Sequence, residues 1–228
     1  MQEQPSGVDN RTDAPATRDW SAILRERLSG SQPRHDRSSW VVPGLTAADS
    51  QSYQRLFPPN PVPAAVLVPL VERPELTVLL TERSAHLRDH AGQISFPGGR
   101  IESEDETPRA AALRESAEEI GLDQGFVSVI GYLPDHILFT GFRVTPMVAF
   151  VRPGFALSLD KHEVVDTFEV PLAYIFDPKN HRHRRRRAGF STEEFEFAEI
   201  PFGERNIWGA TAGMLMTLYR LCIGTLSP

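Results

Sequence analysis

The sequence predicts an α/β fold in which a mixed β-sheet packs between helices. Short β-type runs alternate with two strong helical patterns along the chain, which is typical of strands and helices sharing one layered domain. The 228 residues are 40% hydrophobic and 24% charged. Such a composition supports the core of one domain with extensions, and it argues against a disordered or fibrous protein.

The first sixty residues differ from the rest. Residues 1–17 are polar, with scattered Pro and Gly, and predict a disordered tail. Residues 18–28 predict a short amphipathic helix, because apolar side chains recur near helical spacing at Trp20, Ile23, Leu24 and Leu28. Residues 29–60 are rich in Ser, Pro and Arg, which favours a surface linker. We therefore divide the chain into a tail, a helix and linker extension at 18–60, and a globular domain at 61–228.

The globular domain begins with a predicted hairpin of two strands, 64–70 and 76–81, joined by a polar turn. Further β-type runs occupy 127–133, 144–151, 166–169 and 195–200. Helical patterns cover 108–120 and about 206–223. The second helix is apolar, but it is short and carries Arg220, so we interpret it as a packing helix rather than a membrane span.

Net charge and cysteine content limit the kinds of binding partner and the cellular compartment that we expect. A net charge of −6 argues against nucleic-acid binding. No apolar stretch suits a membrane partner, and no secretory leader is visible. The single Cys222 excludes an intramolecular disulfide, so we expect a reducing, cytoplasmic setting. The arginine run at 182–187 is interpreted as a solvated loop or hairpin, with a local phosphate site as the alternative.

The most informative segment contains a helix with clear boundaries. Thr107 can cap the first turn, Pro108 suits the first helical position, and Gly121 suits the left-handed position after the last turn. At helical spacing we expect a core-facing stripe of Ala110, Leu113, Ala117 and Ile120. The opposite side then carries Glu115, Glu118 and Glu119.

The spacing of these three glutamates predicts that their carboxylates come together. An all-oxygen, negative cluster suits hard cations such as Mg²⁺ or Mn²⁺, which commonly bind beside substrate phosphates. The alternative is an acidic, solvated helix face. The Gly98-Gly99 pair favours the site, because glycine lets the backbone approach a ligand closely.

This segment resembles the Nudix hydrolase signature: Gly, five residues, Glu, seven residues, Arg-Glu, an aliphatic residue, any residue, Glu-Glu, any residue, Gly and an aliphatic residue. Its fixed positions correspond to Gly99, Arg114, Glu115, Glu118, Glu119, Gly121 and Leu122. One extra residue separates Gly99 from Arg114, so Asp105 and Glu106 compete for the first acidic position, and Ser116 replaces an aliphatic residue. Residues 79–99 resemble the coenzyme A pyrophosphatase branch, because they match its pattern LLTxRS, three residues, R, three residues, G, three residues, FPGG.

The resemblance implies a Nudix-type α/β/α sandwich with a mixed β-sheet. It also implies metal-dependent hydrolysis of the pyrophosphate bond of coenzyme A or its derivatives, giving 3′,5′-ADP and 4′-phosphopantetheine. Mg²⁺ or Mn²⁺ would bind Gly99, Glu115, Glu118 and Glu119. The substrate would be bound by residues of the upstream motif, namely Arg83, Arg88, Gly92, Phe96 and Gly98.

The resemblance implies that Arg114 orients the glutamates, with Glu118 or Glu119 as the general base. Glu163 is an alternative base, and His90 and His136 are weaker candidates. Two other functions stay open: hydrolysis of another nucleoside diphosphate derivative such as ADP-ribose, and nucleotide binding without catalysis. Relatives of this kind often form homodimers, and the apolar C-terminal helix is compatible with one.

Overall fold

The computed structural model describes residues 18–43, 50, 51, 53, 56–87, 91–187 and 194–224, without the side chains of 186, 187, 194 and 195. The predicted tail at 1–17 lies outside them. The α-helices named here are α1 (Trp20–Leu28), α2 (Pro108–Ile120), α3 (Leu172–Ile175) and α4 (Gly209–Cys222). The helix predicted at 108–120 is confirmed to the residue. The helix predicted from 206 begins at Gly209, because the residues before it form a strand.

The described strands are β1 (Val62–Val71), β2 (Thr77–Arg83), β3 (Ile94–Ser95), β4 (Gly98–Arg100), β5 (Val127–Tyr132), β6 (His136–Ile137), β7 (Phe142–Val151), β8 (Val164–Pro171), β9 (Arg182–Arg187), β10 (Glu194–Phe202) and β11 (Arg205–Trp208). In the larger sheet β1 is parallel to β7 and antiparallel to β2 and β4. The mixed sheet and the α/β fold are therefore confirmed, as is the hairpin of β1 and β2.

The side chains of the central strand β1 belong alternately to two cores, because successive side chains point to opposite faces of a sheet. Ala64, Val68 and Leu70 join the core that includes residues of α1 and α4. Ala65, Leu67 and Val71 join the core that contains the apolar side of α2. The sheet consequently lies between helices, and α2 is fixed against β1 and β4.

Helix α4 contributes its apolar side chains to the core of its own chain. All residues from Thr211 to Leu218 are buried, as are Leu221 and Cys222. Throughout the described part of the chain, every helix is too short or too polar to cross a membrane. The apolar composition of α4 is thus explained by packing within the chain, and a homodimer stays a prediction.

Part of the segment expected to be a surface linker is buried. Helix α1 confirms the predicted amphipathic helix, and Leu24 and Leu28 are fully buried. Farther along, Trp40, Val42 and Phe57 form a small apolar cluster with Ile137. The linker prediction is wrong for these residues, because residues far ahead in the chain supply the partners that bury them.

The arginine run forms β9, the edge strand of a second, three-stranded sheet. It pairs antiparallel with β10, which confirms the hairpin interpretation over a loop. Acidic residues of β10 contact two residues of the run: Arg184 Nε lies 2.8 Å from Glu199, and His183 Nδ1 lies 2.9 Å from Glu196. The local phosphate site stays a prediction.

Candidate active site

Helix α2 has the predicted boundaries. The Thr107 hydroxyl accepts a hydrogen bond from the backbone N–H of Ala110 at 3.1 Å. Gly121 ends the helix in the left-handed region, with φ of 67°. These signals are local in sequence, so they could be recognised without knowing the fold.

The predicted core face of α2 is confirmed at Ile120 and in part at Leu113, which packs half-buried against the same core, and it is wrong at Ala117. The buried positions are Ala111, Ala112, Ser116, Glu119 and Ile120, whereas Ala117 is exposed and Ala110 and Leu113 are only half-buried. The helix is rotated because it packs against β1 and β4, which brings the Glu119 side toward the glycine pair. Ser116 tolerates burial because its hydroxyl donates to the Ala112 carbonyl at 2.6 Å.

Glu119 is the most buried carboxylate of this helix, with a side chain only 4% exposed. One of its oxygens accepts a hydrogen bond from the Gly98 N–H at 3.0 Å. The other oxygen lies 3.4 Å from Arg83 Nη1. Burial raises the pKa of Glu119 to about 7, although the Gly98 N–H and Arg83 oppose this shift. When Glu119 is ionised, a group that binds its carboxylate must therefore compensate for the hydration that the carboxylate loses on burial.

Glu115 lies against the backbone of Gly99. A Cβ placed on Gly99 would come within 2.5–2.6 Å of the Glu115 carboxylate, so only glycine leaves room for this arrangement. Burial also raises the pKa of Glu115, with Arg114 opposing the shift and Glu118 and Glu163 adding to it. The glycine pair, the buried Glu119 and the partly buried Glu115 form one unit.

Arg114 organises the acidic residues around it. Its guanidinium donates to Asp105 at 2.8 and 3.1 Å, to Glu115 at 3.0 Å and to Glu118 at 2.9 Å. The Asp105 side chain is 4% exposed, and Arg114 holds its pKa below the usual range. Glu106 is exposed. Asp105 therefore occupies the buried acidic position that the extra residue had left ambiguous.

The loop before β8 brings Glu163 to the two buried glutamates. The Ser158 N–H donates to the Ile120 carbonyl and the Asp160 N–H to the Glu119 carbonyl, each at 2.9 Å. The negative charge of Glu163 raises the pKa of both Glu115 and Glu119. Glu163 thus lies near the predicted site despite a separation of more than forty residues in sequence.

Neither histidine candidate is supported as a base. His136 is fully buried, its Nε2 lies 3.0 Å from the Thr217 hydroxyl, and burial lowers its pKa to about 4. This histidine is a core residue, so its assignment as a candidate base is wrong. His90 and Arg88 lie outside the described residues.

The three glutamates do not converge as predicted. Among the residues described, no three Asp, Glu, His or Cys side chains are arranged to hold a metal ion. Glu118 is 59% exposed and is held by Arg114. Glu115 and Glu119 nevertheless fit a hard divalent cation, because both are oxygen donors and burial disfavours the ionised form of each, which a cation would stabilise. The donor set at the glycine pair therefore consists of the buried Glu119 carboxylate, the partly buried Glu115 carboxylate and neighbouring backbone.

A cavity of about 520 Å³ opens beside this unit. Arg83, Gly98 and Gly99 line one side of it. Most of the remaining wall is apolar and aromatic, including Phe96, Phe139, Phe142, Trp208 and Met214. Such a cavity suits a ligand with a charged group at one end and an apolar body.

The structure places only part of the upstream motif, residues 79–99, at the cavity. Arg83, Phe96 and Gly98 line the cavity, whereas Gly92 is outside its described wall and has a left-handed φ of 66°. Arg83 Nε is buried and has no hydrogen-bond partner within the described ranges. Because Arg83 lines the cavity, its guanidinium brings positive charge to the cavity wall.

Sequence reasoning missed two parts of the cavity wall. Pro43 comes from the N-terminal extension, and Phe139 comes from the turn between β6 and β7. Neither residue belongs to a motif, so no local signal could have identified them.

Comparisons with known proteins agree with the motif. The NUDIX domain family model matches residues 61–206. An uncharacterized Nudix hydrolase NudL of Escherichia coli O7:K1 is 41% identical over 162 residues, covering 68% of this chain and 80% of the relative. A NudL of Escherichia fergusonii is 40% identical with the same coverage. The solved MutT protein of Methanosarcina mazei Go1 has a TM-score of 0.47 and 19% identity, covering 74% of this chain and 98% of that chain.

Proposed function

Because this chain belongs to the Nudix hydrolase family, we propose that it hydrolyses the pyrophosphate bond of coenzyme A or a coenzyme A derivative. The products would be 3′,5′-ADP and 4′-phosphopantetheine or its acyl form. A divalent ion, Mg²⁺ or Mn²⁺, would take part, as is general for the family.

One observation carries this proposal: the Arg83 guanidinium and the glycine pair line the same apolar cavity, and both contact Glu119. Arg83 Nε has no hydrogen-bond partner among the described residues, and the same side chain lies 3.4 Å from Glu119. Arginine binds phosphate oxygens strongly through charge-assisted hydrogen bonds. A diphosphate in the cavity beside Gly98 and Gly99 would therefore lie close to the Arg83 guanidinium.

The coenzyme A assignment rests on the motif and on the shape of the site. Arg83, Phe96 and Gly98 belong to the upstream motif and line the cavity. Pantetheine is a long, weakly polar arm, which matches a cavity whose wall is mainly apolar beyond the glycine pair. ADP-ribose carries a second ribose where coenzyme A carries pantetheine, and the hydroxyl groups of that ribose would lie in an apolar environment.

The metal ion, when bound at Glu115, Glu119 and the Gly99 carbonyl, would neutralise diphosphate charge and make water a better nucleophile. The chain supplies the positions of these groups. Arg114 fixes Glu115 and Glu118, and Asp105 fixes Arg114. The Gly98 N–H fixes Glu119. Catalysis of this kind depends mainly on positioning and charge, so these contacts would set the rate.

We keep Glu119 and Glu163 as candidate general bases, and Glu119 would serve as the base while it is bound to the metal ion. Glu163 is half-buried and belongs to a loop attached to the end of α2. The Glu163→Gln variant distinguishes the two candidate bases. If Glu163 is the base, turnover falls at every pH while the Michaelis constant changes little.

The direct test is to incubate purified protein with coenzyme A, ADP-ribose and a panel of nucleotides, with Mg²⁺ or Mn²⁺, and to identify products by mass. We expect coenzyme A to be cleaved between its phosphates most efficiently, and the Glu119→Gln variant to be inactive. Preferential cleavage of ADP-ribose would favour the broader hydrolase alternative. Binding of nucleotide without turnover would favour a non-catalytic module.

A further inference from the structure

The N-terminal extension contributes to the cavity although the family model begins only at residue 61. We define the N-terminal wall as Trp40, Val41, Val42, Pro43 and Phe57. Of these residues, Pro43 lines the cavity directly. The others hold the turn of residues 138–140, all three of which also line it.

Backbone hydrogen bonds join the wall to β6. The Val41 N–H donates to the Asp135 carbonyl, and the Ile137 N–H donates to the Val41 carbonyl, each at 2.9 Å. A β-bridge between Val41 and His136 continues this pairing. The strand leading into the cavity turn is therefore paired to the extension.

Aromatic packing supports the turn from behind. The ring of Phe57 stacks on that of Phe139, with centroids 5.1 Å apart and planes 19° from parallel. Phe57 is buried, together with Trp40, Val42 and Ile137. Phe139 consequently has the extension on one side and the cavity on the other, and its position depends on Phe57.

A buried carboxylate anchors the same region. His35 Nδ1 lies 3.1 Å from the Asp135 carboxylate, which also accepts a hydrogen bond from Thr145 at 2.7 Å. Asp135 is completely buried. The extension is thus held by backbone pairing, a side-chain contact to a buried carboxylate and an apolar cluster. These contacts fix its position against the domain, which a connecting linker would not need.

We infer that the N-terminal wall determines substrate specificity, by forming the part of the cavity that binds an apolar arm attached to the diphosphate. This inference rests on the proposed function for the diphosphate end. The wall and turn add Pro43, Leu138, Phe139 and Thr140 to the cavity surface, and of these only Thr140 is polar. The chemistry that this surface recognises is an alkyl or acyl chain rather than a second sugar.

The test uses S-alkyl pantetheines of increasing chain length, which lack phosphate and report only on the arm. Binding to the full-length protein is measured by calorimetry, and we expect the affinity to rise by up to about fourfold for each added methylene. Pro43→Trp should fill the cavity and abolish this gain. Phe57→Leu keeps most of the buried volume and should reduce the gain by releasing Phe139. Gln32→Trp, which places the same ring at an exposed position of the extension, should behave as wild type.

Hydrolysis provides the second measurement. In Pro43→Trp the Michaelis constants for S-alkyl coenzyme A thioethers should rise by about tenfold or more, and that for ADP-ribose should change far less. Equal changes for both substrates, or wild-type chain-length dependence in both wall variants, would overturn the inference. If the wild-type protein cleaves no diphosphate but still binds the pantetheines with this dependence, the proposed function fails and the apolar site stands.

Discussion

Replacing Gly99 with alanine tests the link between the glycine pair and the buried glutamates. The new Cβ would lie 2.5 Å from the Glu115 carboxylate, whereas ordinary contact begins at 3.4 Å. The carboxylate must therefore withdraw by about 0.9 Å, which is the difference between these distances. Misplacement of a catalytic group by about 1 Å can cost roughly a hundredfold in rate. We expect Gly99→Ala to lose about that much turnover at saturating metal and substrate.

Stability should change little in Gly99→Ala, because the obstructing atoms are at the end of a side chain that can move. The neighbouring Gly98 is the matched control. Its φ is 148°, and a Cβ there would lie 2.4 Å from the Ala65 backbone carbonyl, which cannot move. Urea unfolding should therefore show strong destabilisation for Gly98→Ala only. A Gly99→Ala enzyme within threefold of wild-type turnover would refute the reasoning.

The remaining predictions concern charge. Glu119→Gln should reduce turnover by about a hundredfold or more with the fold retained, as measured by steady-state kinetics and circular dichroism; a near-normal rate would refute its role. Arg83→Ala should raise the Michaelis constant for coenzyme A by about tenfold, a larger increase than for a generic nucleotide pyrophosphate; equal increases for the two substrates would remove the specificity claim. Without metal, the raised pKa of Glu119 should lower stability by at most about 3 kcal/mol as pH rises from about 4.5 to about 7, because the unfolded chain ionises first. Glu119→Gln should flatten this dependence in urea unfolding at several pH values.

The sequence could predict elements whose signals are local. Helix α2 was predicted with its observed boundaries because its cap, its first proline and its terminal glycine are neighbours in the chain. The rotation of the same helix could not be predicted, since packing against β1 and β4 and the Gly98 contact to Glu119 decide it. Hydrophobic spacing alone favoured Ala117, which is exposed.

Features that depend on distant partners were harder to predict. The arginine run became a strand because acidic residues of β10 lie opposite it. Trp40 and Phe57 became buried because the turn after β6 packs on them. Motif spacing predicted five residues of the candidate site: Arg83, Gly98, Gly99, Glu115 and Glu119. The structure places them in mutual contact or at the same cavity. The wall formed by Pro43 and Phe139 had no such signal.

The central claim is that Glu115 and Glu119, beside Gly98 and Gly99, hold a divalent ion against a diphosphate. Anomalous diffraction from a crystal grown with Mn²⁺ and a non-hydrolysable coenzyme A analogue tests this claim most directly. We predict a manganese peak about 2.0–2.3 Å from an oxygen of each glutamate, with diphosphate oxygens in the same coordination sphere. A manganese peak elsewhere, or none at these two carboxylates with the analogue bound, would contradict it.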